Sequence, residues 1–156
     1  INGIPGYSHD IPTTYNFLNV IIKESKCKNV VMLGSSEGGF GAILYGSLLN
    51  VSKIIVFNPQ TYIDFKTRKL NKDKRFNSNN KLNLLQETNS KFLNLKNLEK
   101  STSKIKIYYS NNLLQISHYN NIKKNKNLDI KGNKINCKDH NLISYLKGKK
   151  LLNLLK

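Results

Sequence analysis

A chain of 156 residues has room for one hydrophobic core and not for two full-sized domains. Its net charge of +17 rests on 24 Lys accompanied by 24 Asn, with arginine only at Arg68 and Arg75; phosphate- and base-reading sites favour the planar arginine fork, so this is a solvated lysine surface of AT-rich codon usage and not a specific nucleic-acid reader. No apolar run approaches the roughly 20 residues of a membrane span, and Cys27 and Cys137 fit neither a disulfide framework nor a structural zinc site.

Residues 1–12 carry Gly3, Pro5, Gly6 and Pro12 and read as a loop. Phe17, Leu18, Ile21 and Ile22 lie at helical spacing, which predicts a helix over 14–25 with Thr13 or Thr14 as its cap. The apolar run 29–34 ends in glycine and predicts a buried parallel strand. Phe40, Ile43, Leu44 and Leu48 then mark a helix over 37–49, and 53–57 predicts a second strand closed by Asn58-Pro59. That succession is a βαβ unit. Residues 65–103, rich in Lys and Asn with scattered leucines, read as an irregular, partly helical excursion outside the sheet. Ile105, Ile107, Tyr108 and Tyr109 make a third strand, 113–124 a helix, and 128–137 a fourth strand in which Gly132 is out of place. Helices over 141–147 and 150–155, split by Gly148, close the chain; their leucines suit a sheet-covering face better than a membrane surface. The expectation is one three-layer α/β/α domain over 1–156, with a mostly parallel sheet and a cap-like insertion at 65–103.

One stretch carries chemistry. Gly34-Ser35-Ser36-Glu37-Gly38 is a G-x-S-x-G sequence between an apolar strand and a helix rich in small residues. A sharp strand-to-helix turn strains its central residue and requires small neighbours two places away on either side. It lifts the serine oxygen above the sheet edge at a helix N-terminus, where backbone N–H groups stabilise negative charge. A phosphate loop would need Lys after Gly39, and a dinucleotide fingerprint would need Gly or Ala at Leu44; neither is present.

Gly34 to Gly38, with Val30 to Leu33 before it, resembles the nucleophile elbow of the α/β-hydrolases. Ile4-Pro5-Gly6-Tyr7-Ser8 resembles the loop after strand 4 of that fold. The string from Gly34 to Asp64 is similar to bacterial α/β-hydrolase-like proteins associated with capsule and surface polysaccharide. The resemblance implies that the first strands, and one of two oxyanion donors, lie upstream of Ile1, and it makes Ser36 the nucleophile. Asp139-His140-Asn141 resembles the loop in which that family carries its histidine, so His140 is the expected base. His118, inside a predicted helix, reads as a surface or core residue, and His9 as a residue that lines the pocket. The backbone N–H of Glu37 is the expected oxyanion donor. At the family's acid position stands Gln115, where similar proteins carry Asp; Asp64 is the candidate acid instead, with Asp129 and Asp139 less well placed. The expected activity is a serine hydrolase or acyltransferase acting on a small-molecule or glycan acyl ester, in the cytoplasm, with no cofactor or metal. The rival expectation is a truncated or degenerate, inactive hydrolase fold serving as a binding module. Weak polyanion binding through lysine is the third.

Overall fold

The structure, a computed structural model, describes residues 11–74, 90–147, 151, 153 and 154. The predicted loop at 1–12 falls almost wholly outside these residues, as do His9, Gly148 and the stretch 75–89. Four strands, β1 (Val31–Ser35), β2 (Lys53–Phe57), β3 (Lys104–Ser110) and β4 (Asp129–Ile135), form one parallel sheet in the order β1-β2-β3-β4. Helices α1 (Ile11–Ser25), α2 (Ser36–Leu48), α3 (Phe65–Leu70), α4 (Leu113–Ile122) and α5 (Leu142–Leu146) connect and cover it.

The alternation of side chains along a strand divides the core into two layers. On one face Ile54, Val56, Ile105 and Ile107 pack with Phe40, Ile43 and Leu44 of α2, Ile122 of α4 and Leu18 and Ile22 of α1. On the other, Ile55, Phe57 and Tyr108 pack with Leu142 and Leu146 of α5 and with Leu151 and Leu154. Burying each large aliphatic side chain contributes roughly 1.5–3 kcal/mol, and helices lie on both faces because both faces of the central strands are apolar. β1 is one margin of the sheet, and its Val31 and Leu33 are 54% and 55% exposed. Lys106 is less comfortable: the positive charge of Lys53, with partial burial and Lys131, holds its ammonium below the usual lysine range.

Three local features differ from expectation for physical reasons. The first helix begins at Ile11, because Pro12 falls in its first turn, where a missing N–H costs nothing. β4 runs straight through Gly132, because a Cβ there would collide with the Tyr119 ring, which stacks on Tyr109 at 4.3 Å between centroids. In the 65–103 stretch, two 3₁₀ turns (Ser90–Phe92 and Leu95–Asn97) follow α3 among the described residues, and Leu93, Leu95 and Leu98 are buried in the same core as β2 and β3. Backbone hydrogen bonds from Ile63 to Leu93 and from Leu95 to Thr61 tie this segment to the loop after β2. No helix among the described residues is long and apolar enough to cross a membrane.

Candidate active site

The turn from β1 into α2 is built around Ser36. Ser35 is extended (φ -133°, ψ 145°), and Ser36 follows with φ 53°, a left-handed conformation that costs a non-glycine residue about 1–3 kcal/mol. The bend brings the backbone of α2 against the end of β1. A Cβ on Gly34 would collide with the Gly38 carbonyl, backbone that cannot swing aside. Gly38 itself has nothing within 4 Å of a Cβ among the described residues, so the requirement for a small residue there does not hold. It falls on Gly39, whose Cβ would lie 2.8 Å from that of Pro59. Gly34→Ala therefore forces the elbow open: it is expected to destabilise the fold by about 1–3 kcal/mol, as overpacking does, and to lower the reactivity of Ser36, read by denaturant unfolding and active-site labelling.

His140 meets this serine from 104 residues away, with Nε2 3.0 Å from Ser36 Oγ. Its position comes from the backbone of its loop. Asn58, fully buried after β2 with φ 43°, donates from Nδ2 to the carbonyls of His140 (2.8 Å) and Asp139 (3.3 Å). The Asn58 Oδ1 accepts from the Ser110 N–H at the end of β3 (2.8 Å), and its own N–H bonds the Tyr108 carbonyl. One side chain thus joins the C-terminal ends of two strands to the histidine loop. Buried Leu142 and an Asn141 cap on Ser144 anchor the far side of the loop. The imidazole itself is exposed and Ser36 half-buried, so a substrate can reach the pair.

Two carboxamides flank the pair. Gln115, buried in the first turn of α4, places Nε2 3.0 Å from His140 Nδ1. Gln60, also buried, bonds the Ser36 carbonyl through its backbone N–H (3.0 Å) and lies with Nε2 3.4 Å from Ser36 Oγ. Asp64, the candidate acid, is elsewhere: its Oδ1 accepts from the Thr67 N–H (2.8 Å) as the N-cap of α3 and its Oδ2 from Asn94 Nδ2 (3.0 Å). An aspartate before a short helix is drawn to the orphan N–H groups of that helix. Asp139 spends its carboxylate on the Asn141 N–H, and Asp129 opens β4 at the surface. Glu37 lies in the first turn of the 13-residue α2, where its backbone N–H faces outward with the positive end of the helix dipole.

His118 lies in the core and fully buried. Its Nδ1 accepts from the Thr61 N–H (3.1 Å), which leaves the hydrogen on Nε2, 3.7 Å from Asp73 Oδ2. Its ring stacks on Tyr62 at 4.0 Å. With Asn121 and Asn94 this polar network locks α4 against the loop that carries Gln60. An open cleft of about 440 Å³ lies between α3 and α4, with Lys96 and Lys124 on its walls; neither Ser36 nor His140 lines it.

A strand-to-helix elbow with a left-handed serine and a histidine delivered by the loop after the last described strand has counterparts among solved structures. Capsule O-acetyltransferase of Neisseria meningitidis serogroup A superposes with a TM-score of 0.68 at 20% identity, over 97% of this chain and 67% of that one. The fold is that of the α/β-hydrolases. The same acetyltransferase in complex with CoA aligns with a TM-score of 0.63 at 18% identity, over 88% of this chain and 63% of the other. An α/β-hydrolase from the metagenome of lagoon sediments at Mar Chica, Morocco, gives 0.58 at 16% identity, over 98% of this chain and 73% of its own. The chain thus spans about two thirds of the length of the acetyltransferase. No family model and no curated protein matches the sequence.

Proposed function

We propose that the protein is a serine acyl-transfer enzyme, an esterase-like hydrolase or an O-acyltransferase, that works through Ser36 and His140. The observation that carries this reading is the 3.0 Å contact between Ser36 Oγ and His140 Nε2, made on a backbone strained at Ser36. Such strain persists only where the surrounding structure holds it, and it clusters at sites of chemistry.

In this reading Ser36 Oγ attacks the acyl carbonyl carbon and passes its proton to His140 Nε2. The carbonyl oxygen becomes an oxyanion, stabilised by the Glu37 N–H at the start of α2. As the intermediate collapses, the bond to the leaving group breaks and that group takes the proton from His140. The acyl-serine is then attacked by water, or by an acceptor hydroxyl, with His140 again accepting the proton. The acetyltransferase likeness favours a glycan hydroxyl as acceptor and a capsule or surface-polysaccharide setting. Gln115 at the imidazole, a neutral group where a carboxylate would stabilise the imidazolium, favours a second reading: a hydrolase-fold binding module without turnover.

A fluorophosphonate probe separates the two. The protein is expected to become labelled, with the added mass on the peptide containing residue 36, and Ser36→Ala is expected to abolish labelling. A folded wild-type protein that takes up no probe would end the enzymatic reading.

A further inference from the structure

We propose that Gln115 is the positioning residue of His140, its carboxamide oxygen accepting the Nδ1 hydrogen and so holding the tautomer whose Nε2 receives the Ser36 proton; this rests on the acyl-transfer reading above. Gln115 is 3% exposed and sits in the first turn of α4, which the His118–Thr61 and Asn121–Asn94 hydrogen bonds fix against the loop after β2. Its amide therefore reaches the imidazole from a rigid element, 3.0 Å from Nδ1. Its other end, Oε1, is buried without a hydrogen-bond partner among the described residues.

The two ends of the amide have the same shape and opposite chemistry. With nitrogen toward the imidazole, N–H donates to Nδ1, the ring hydrogen stays on Nε2, and Nε2 then donates to Ser36 Oγ. That is an idle arrangement, because Nε2 has no lone pair for the serine proton. A half-turn about the last side-chain bond puts Oε1 on Nδ1–H and frees the Nε2 lone pair. Each orientation leaves one amide end without a partner, so the count of hydrogen bonds does not choose between them. Proton transfer from Ser36 requires the second. Gln115 thereby supplies the orienting half of what an acid does in such a site, without the negative charge.

The test reads the imidazole nitrogens of ¹⁵N-histidine-labelled protein by NMR, with His140 assigned by its loss in His140→Gln. Wild-type His140 is expected as the Nδ1–H tautomer. In Gln115→Leu the signal is expected to move toward the Nε2–H form, and fluorophosphonate labelling of Ser36 to slow by roughly tenfold or more. Gln115→Glu keeps an acceptor at the same reach and is expected to retain the Nδ1–H form and restore labelling to at least the wild-type rate. Should Gln115→Leu not fold, Gln115→Asn withdraws the carboxamide by one methylene and is read in the same way. A wild-type His140 in the Nε2–H form, or a tautomer and labelling rate unmoved by Gln115→Leu or Gln115→Asn, would overturn the proposal. The tautomer is read whether or not Ser36 reacts. A Gln115-dependent Nδ1–H form in a protein that takes up no probe therefore supports the role of Gln115 while removing the acyl-transfer reading.

Discussion

Replacing His140 by Ala is expected to slow fluorophosphonate labelling of Ser36 by about 10²–10⁴-fold, the usual contribution of a general base, with almost no change in thermal stability. The two effects separate because of how the loop is held. Asn58 grips the carbonyls of His140 and Asp139, not the imidazole, and Leu142 anchors the next turn in the core. The exposed ring can be removed without freeing the backbone that carries it. A surface substitution of this kind shifts stability by about 0.5 kcal/mol or less. Ser36 stays at φ 53°, since its strain is set by Gly34, Gly39 and Pro59 on the far side of the elbow. Labelling at the wild-type rate in His140→Ala, with mass still on Ser36, would show that the serine is activated by another group.

What could be read in the sequence and what could not differ in kind. The strand Lys53–Phe57 falls where its apolar run predicts it, because five consecutive β-formers buried on both faces leave no other solution. Gly34 and Ser36 were legible because the elbow is a local device: a strand, a glycine and a helix start, all within eight residues. Asp64 misleads for the same reason. The local signal at Asp64 is that of a helix cap, and the cap is what forms. Asn58 and Gln60 carry no comparable signal. Their partners are the Ser110 N–H, the His140 carbonyl and Ser36, reached only once three strand ends lie side by side. One hint exists, a polar pair flanking Pro59 directly after a wholly apolar strand, and it marks the position without naming the partner. Gly132 is the opposite case: the propensity against it is real, and the Tyr119 ring overrides it from another element.

Asn58 is the residue whose loss reaches furthest. Asn58→Gly tolerates the left-handed backbone at φ 43° and so removes the side chain alone. The Ser110 N–H then loses its acceptor in the buried core, and the carbonyls of Asp139 and His140 lose their donor. An orphaned buried polar group costs about 1–3 kcal/mol, so the two sides together are expected to cost about 2–4 kcal/mol in denaturant unfolding. The loop then samples positions in which Nε2 no longer meets Ser36 Oγ, and labelling measured well below the unfolding midpoint is expected to slow by at least tenfold. Asn58→Asp separates the two functions of the amide. It keeps an oxygen for Ser110 but turns a second oxygen, negatively charged, toward two carbonyls, so it should loosen the histidine loop while leaving the β2–β3 junction intact. In that variant slow labelling is expected with backbone amide exchange unchanged at Ser110. Equal exchange and equal labelling in both variants would mean that the loop is held by Leu142 and the Asn141 cap alone.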